Sequence, residues 1–498
     1  MDIKGNLKEI GKHGSIYVLG WILNSALSLG LLPVYTRYLE KTEYGMLSLL
    51  DSTIELVRIL CALGIGSAII RFFHDKQDDE HRRKVLSTGI TFLMIMIVVL
   101  GVIVYPLSGK ITKLVLGEDG RPLYFQVALA TMLLGLLRSG ADTYLTTSKR
   151  SITFIIVNSG QTLLSAVINL YLIVFLGMGV LGMLYGSLIA SLLVNVVLMQ
   201  YVIRKNGLGI DTSLLINMFR YGLPLVPAIL AAAAMHNLDR FFIRNYVNMA
   251  EVGLYSLAYM FPFMLNGLFS NAFSRIWGAS TMYSIARAPD ASYQFSRICT
   301  YYMTVLTFAL FAISVGADTL LSLFAAPSYF DAQRYLPIIA LGVWGYAMHT
   351  FVRIGVDLTK KTYLFTINYV LAFVINIVLN FLIVPRWGAI GAAWVTVATY
   401  FSFSFGGFLL YRHCYPIRLE WIRLSVLILL AIGLFICRQF FHVYGFTGTL
   451  LIEISFIALF PIILIYTKGF FTSGERLQIK TWCSSKASLM VRTRTTHQ

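Results

Sequence analysis

Fourteen runs of about twenty mostly apolar residues recur along this chain. They lie roughly at 14–35, 44–70, 85–105, 124–147, 151–176, 180–203, 215–237, 249–274, 298–323, 336–357, 362–384, 388–411, 421–441 and 447–466. A bilayer core about 30 Å thick is crossed by about 20 residues of α-helix. Within lipid a spanning segment must satisfy its own backbone N–H and C=O groups. The runs therefore predict an all-α polytopic membrane protein of about 14 transmembrane helices. Composition agrees, with 57% apolar and only 13% charged residues, where a soluble domain carries about 25% charged. Soluble, disordered and disulfide-framework chains are excluded. The gaps at Gly177–Gly179 and Pro385–Gly388 are so short that the flanking spans must form tight helical hairpins. The seventh span is the most irregular, interrupted by Pro224 and Pro227 and crowded at its end by Asp239-Arg240.

Charge sets the orientation. Lys and Arg number 40 against 23 Asp and Glu, a net +17. A basic excess can serve nucleic acid, but no loop here exceeds about 23 residues, so no aqueous domain exists to present a basic face. With the N-terminus placed in the cytoplasm, the segments on that side hold 26 basic residues and the opposite loops 10. The other four (Arg58, Arg138, Arg353 and Arg423) lie within spans or at a span edge. Basic residues concentrate on the cytoplasmic side, so both termini are expected there, with an even number of spans between them. The opening MDIKGNLKEIGKHG shows no small-residue cleavage pattern and reads as an uncleaved start. Five scattered cysteines without a CxxC argue for neither a disulfide framework nor a zinc site, and no metal or cofactor is expected.

The chain repeats itself. Tyr38–Ser48 aligns without gaps to Tyr246–Ser256, keeping Tyr38, Glu43, Gly45 and Ser48 as Tyr246, Glu251, Gly253 and Ser256. Ser148–Ser151 recurs as Thr359–Thr362, Val167–Asn169 as Val374–Asn376, and Gly179–Gly182 as Gly388–Gly391. The offsets are 208, 211, 207 and 209, and each covers six spans. An even number keeps the membrane orientation, so two parallel six-helix bundles follow, of the kind that enclose a central site in transporters. The expected division is 1–205 and 206–415 for the two bundles, 416–467 for two additional helices, and 468–498 for a basic cytoplasmic tail.

Ionisable groups within spans are costly and tend to face cavities or partners. Asp51, Glu55 and Arg58 share one face of the second span, at spacings of four and three. Arg138 with Asp142 in the fourth span, and Arg353 with Asp357 in the tenth, are each four apart, and His349 lies one turn before Arg353. Two readings remain open at this point. The arginines line an aqueous cavity and hold an anionic group such as a pyrophosphate, for which guanidinium geometry is suited. Alternatively each neutralises its neighbouring acid or snorkels to the interface. Asp51, Glu55, Asp142 and Asp357 are candidates for ion coupling or for charge pairing. Asp239 and Arg240, following the seventh span, are placed at the outer mouth as a gate or an anchor. The GxGxxG at Gly177–Gly182 has no preceding strand, so it reads as a turn and helix contact and not as a dinucleotide loop. Asp78–His81 sits in a mixed charge run and reads as solvated loop. No GxxxxGK[ST] occurs, so no ATP site is expected.

Certain residues carry a family resemblance. In the first half they are Leu32-Pro33 through Tyr38, Glu43–Gly45 and Leu47-Ser48. In the second they are Tyr221–Pro224 with Pro227, Asp239–Ile243 and Glu251–Ser256. With them the chain resembles the multidrug/oligosaccharidyl-lipid/polysaccharide exporter superfamily, closest to its polysaccharide-transport branch of O-antigen and capsule-type flippases. The resemblance covers about residues 5–415. It implies a bacterial inner-membrane flippase, not an enzyme, for sugars carried on polyprenyl pyrophosphate. It also implies a cavity between two halves that opens alternately to each side, and a cationic lumen to which Arg58, Arg138 and Arg353 would contribute. Membrane lipid and a polysaccharide polymerase with its chain-length machinery are the implied partners. One departure is visible. The first span holds no ionisable residue between Gly14 and Tyr35, where lipid II flippases place arginine. A multidrug antiporter of the same superfamily is the rival reading, and would need a net acidic cavity. A glycosyltransferase or polymerase would need long outward loops that this chain lacks.

Overall fold

The computed structural model describes residues 3–471 and 475, apart from 77, 118–119, 149, 278–280, 360, 416 and 442–444. Of residues 3–18 and 275–276 it describes the backbone alone. Most of the expected tail, together with Cys483, lies outside the described residues, as does the side chain of Arg275. Among the described residues every regular element is helical. In chain order these are α1 Ile3–Tyr38, α2 Lys41–Ala62, α3 Ile65–Phe73, α4 Asp79–Val104, α5 Ser108–Leu116, α6 Pro122–Thr147, α7 Ser151–Leu170 and α8 Gly179–Asn206. The second half continues with α9 Thr212–Gly222, α10 Val226–Tyr246, α11 Met249–Ile276, α12 Met282–Ile285, α13 Ala291–Val315, α14 Ala317–Phe324, α15 Leu336–Val352, α16 Ile354–Thr359 and α17 Tyr363–Tyr411. Two more helices, α18 Trp421–Gln439 and α19 Phe446–Tyr466, close the described chain.

Twelve helical segments are long and apolar enough to cross a membrane. One of them, α17, is two spans, because Gly388 breaks it at φ 59°. The α2–α3 pair adds a bent span, turned by 49° where Leu63 and Gly64 both take left-handed backbone. The count then meets the fourteen of the sequence. The seventh span is longer than its apolar run suggests. After the proline-containing turn Leu223–Leu225, α10 runs on to Tyr246 and carries Asp239 and Arg240 within the helix. Caps fix the helix starts. Asp78 accepts from the Glu80 and His81 amides, Asp211 from Leu214 and Asn248 from Glu251. Those amide donors hold the Asp78 and Asp211 carboxyls below the usual carboxylate range.

Both short gaps are hairpins. Across α7 and α8, Gln161 donates to Ser191 at 2.8 Å and Ser165 meets Ser187 at 3.4 Å. Within α17, Asn376 donates to Thr399 at 3.2 Å and Asn368 to the Phe403 carbonyl at 3.0 Å. The turn glycines Gly179 (φ 51°) and Gly388 (φ 59°) occupy equivalent left-handed positions, which a side chain disfavours.

The repeat is also a contact. Where α2 crosses α11, a Cβ on Gly45 would stand 2.2 Å from the Met249 carbonyl oxygen. One on Gly253 would stand 2.1 Å from that of Lys41. These are reciprocal contacts at offset 208. Beside them Ser48 donates to its own repeat equivalent, Ser256, at 2.7 Å. Two backbones pack this closely only through small residues, and the pseudo-twofold axis passes through this point. Buried apolar side chains form one large cluster from residues 39–218 and another drawn almost wholly from 243–470.

Candidate functional site

A cavity of about 980 Å³ opens inside the first bundle and reaches the α2–α11 crossing. Many of its lining side chains carry hydroxyls or amides. From α7 come Asn158, Gln161, Thr162, Ser165 and Asn169, and from α8 Ser187, Ser191 and Asn195. Spacings of three and four place each set on one helical face. This polar stripe within otherwise apolar spans is the signal that a search for charged residues alone passes over. Gly182 and Gly186 close the hairpin behind it, packed on Ile173 and Asn169.

The charged lining residues are Asp51, Glu55, Arg138, Asp142 and Arg240. Arg138 is 6% exposed, and its Nε lies 3.4 Å from both oxygens of Asp142. It also donates to the Gln161 carbonyl oxygen, and Gln161 in turn donates to Ser191. Three helices thus hold one guanidinium. Glu55 is engaged by Arg58 at 2.7 Å, and Arg58 itself stands outside the lining. Asp51 faces the cavity with neither a hydrogen bond nor an ion pair among the described residues.

The other sequence candidates lie elsewhere. Arg353 caps the end of α15, pairs with Asp357 at 3.0 and 3.2 Å, and rests 4.6 Å from the Phe365 ring, away from this cavity. The repeat explains the separation. At the local offset of 211, Arg138 corresponds to His349, and Arg353 corresponds to Asp142. His349 is buried and bonded to Asn368 at 3.3 Å, the counterpart of the Arg138–Gln161 contact.

Asp239 and Arg240 are corrected in position. They do not follow the span; they lie within it, because polar neighbours satisfy both. Asp239 is fully buried and accepts from Thr396 (2.7 Å), Tyr255 (2.8 Å), Asn380 (2.8 Å) and Asn376 (3.3 Å). Arg240 points the other way, into the cavity. Its Nε donates to Ser48 (3.0 Å) and Ser256 (3.1 Å), and its Nη1 to the His236 carbonyl (2.8 Å) and Asn237 (3.2 Å).

The arrangement is a space of about 980 Å³ with many neutral donors and acceptors, two guanidiniums and three carboxylates, a formal balance of −1 and not the expected cationic lumen, because Arg58 and Arg353 stand outside it. Its neutral hydrogen-bonding groups suit a polyhydroxylated ligand, and Arg138 and Arg240 are the groups it offers to an anion. Among the described residues no group of three or more His, Cys, Asp or Glu could hold a metal ion.

Comparison with known proteins agrees with the architecture. The profile of the polysaccharide biosynthesis protein family matches residues 10–277, more than half of the chain. No curated protein sequence matches. Among solved structures, a lipid II flippase MurJ in an inward closed conformation is 14% identical, with a TM-score of 0.71 over 91% of this chain and 98% of that one. An inward-facing multidrug resistance transporter of the MATE family is 16% identical, with a TM-score of 0.64 over 82% and 95%. A transporter of the MOP superfamily from Pyrococcus furiosus, described with a binding pocket of reverse polarity, is 16% identical, with a TM-score of 0.60 over 84% and 96%. At these identities the likeness establishes a shared fold.

Proposed function

The chain belongs to the polysaccharide biosynthesis protein family, and from that premise we propose that it is a flippase. It moves polyprenyl-pyrophosphate-linked oligosaccharide from the cytoplasmic to the outer leaflet of a bacterial inner membrane. The observation that carries this reading is the 980 Å³ cavity, into which α7 and α8 present a stripe of hydroxyls and amides. Neutral hydrogen-bonding groups in a membrane interior are costly unless a ligand or water uses them, and sugars present the complementary hydroxyls. Arg138, held by Asp142 and Gln161, supplies charge for the pyrophosphate. The polyprenyl chain stays in lipid. Rocking of 1–205 against 206–415 about the α2–α11 crossing exposes the headgroup alternately, with 416–467 riding on the second unit. Both termini face the cytoplasm, no covalent bond changes, and a polymerase would take the product outside. Arg58 and Arg353 act at the margin of this path, since neither lines the cavity.

The test is a clean deletion in the native host, with surface polysaccharide and inner-leaflet lipid-linked oligosaccharide quantified together. The flippase reading predicts loss of polymer with accumulation of its precursor, both restored by the wild-type gene. Unchanged polysaccharide with new sensitivity to cationic dyes would instead identify a multidrug antiporter, for which the unpaired Asp51 in the cavity would be the cation-binding group.

A further inference from the structure

Arg240 is the charged side chain that the second bundle contributes to the cavity wall, where its companions from α10 and α11 are Asn237, Ser256, Tyr259 and Met260. It is 8% exposed and makes no close ion pair among the described residues; the Asp51 carboxylate of the same cavity acts on it only at longer range. Arg138, by contrast, shares its charge with Asp142 beside it. The Arg240 guanidinium lies 4.9 Å from the Tyr259 ring, which fixes its plane. Its Nε donates to two hydroxyls at once, Ser48 of the first half and Ser256 of the second. Those two serines also bond to each other across the pseudo-twofold axis. One buried cation therefore touches both the ligand space and the joint between the halves.

We propose that Arg240 is the diphosphate sensor of this protein. An anionic headgroup entering the cavity draws the guanidinium toward its oxygens, which weakens the Nε bonds to Ser48 and Ser256 and frees the α2–α11 crossing to pivot. The serine bonds pair the guanidinium with neutral hydroxyls, whereas a diphosphate offers a full opposite charge and bidentate geometry, so the exchange runs toward the ligand. Asp51, three residues beyond Ser48 and open to the same cavity, opposes anion entry and sets a threshold for it. This rests on the flippase reading and names the group that joins substrate to motion.

The test uses the full chain in nanodiscs, with geranylgeranyl diphosphate as probe. Its five cysteines are replaced by serine, and spin labels stand at Tyr38 and Tyr246, exposed repeat-related corners. Wild type should bind the probe and change its label-to-label distance. Arg240→Gln should bind at least tenfold more weakly, Arg240→Lys should fall between the two, and Asp51→Asn should bind more tightly. A Ser48→Ala, Ser256→Ala double variant keeps the guanidinium; it should bind the probe but lose the distance change. Wild-type binding by Arg240→Gln, or an unaltered distance change in the double-serine variant, would overturn the sensor. Failure of wild type to move any lipid-linked oligosaccharide, with probe binding and the distance change intact, would overturn the flippase reading and leave Arg240 as an anion sensor.

Discussion

The two halves are built on one repeat, yet the first encloses a polar cavity where the equivalent positions of the second are filled by rings. The difference resides in a few equivalent positions. Asp51, Glu55, Gly135, Asn158, Thr162 and Ser191 line the first-half cavity. Their counterparts at the local offsets of 207 to 211 are Tyr259, Phe263, Tyr346, Phe365, Tyr369 and Tyr400. Small or polar residues on one side become rings on the other. In the second half, Tyr259 stacks on Phe263 at 4.3 Å, and Tyr346 meets Tyr400 at 5.2 Å around His236. The polar groups left there are consumed inward. Asn376 corresponds to Asn169, but donates to the buried Asp239 where Asn169 borders open space. Backbone contacts persist through these changes: Asn195 donates to the Leu134 carbonyl, and its equivalent Ser404 to the equivalent carbonyl of Gly345. Side-chain volume at equivalent positions can thus open a polar chamber in one copy of a helical repeat and close it in the other.

The comparison can be broken most directly in the filled half. Asp239→Ala strips four donors of their acceptor, and Tyr400→Ser removes a buried ring. Each should cost about 3–5 kcal/mol in stability, read as a large drop in melting temperature of the purified protein. A loss below about 1 kcal/mol would show that this half is not tightly packed. At the crossing, Gly45→Val and Gly253→Val should each cost about 1–3 kcal/mol, because the added atoms meet a carbonyl oxygen on the opposite helix. Unequal losses would argue against a symmetric joint.

Transferring the second-half residue into the first sharpens the contrast. Ser191→Tyr should leave the melting temperature close to wild type while cutting transport at least tenfold, since the ring occupies the chamber. Arg138→Gln should likewise lower transport about tenfold, whereas Arg353→Gln, outside the cavity, should change it less than twofold. Smallest of all is Ser187→Ala, with a stability change within about 0.5 kcal/mol and a few-fold rise in the substrate concentration needed for half-maximal transport.

Much of this was legible in the sequence, for identifiable reasons. Lipid permits little besides helices, so apolar runs gave the spans. Turn geometry demanded Gly179 and Gly388, and the Gly45–Ser48 and Gly253–Ser256 matches marked what proves to be the pseudo-twofold contact. The positions of Arg240 and Arg353 were not legible. Arg240 lies inside a helix because serine hydroxyls from α2 and α11 add to the partners in its own helix, and tertiary partners of that kind leave no local trace. Arg353 repeats the spacing of Arg138 and Asp142 but stands one turn away from the equivalent position, and a turn decides which space a side chain reaches. The serines and amides of α7 and α8 form a stripe that a search for charged residues passes over, and only the structure shows that they face a void.

The central claim is that the first-half chamber carries a lipid-linked sugar across the membrane. The most direct test reconstitutes the full chain into liposomes with a fluorescent polyprenyl-pyrophosphate oligosaccharide, and follows its exposure to a membrane-impermeant reductant. Protein-dependent exposure that is lost in Ser191→Tyr and kept in Arg353→Gln is the predicted result. Exposure no faster than in protein-free liposomes, or unaffected by Ser191→Tyr, would contradict it.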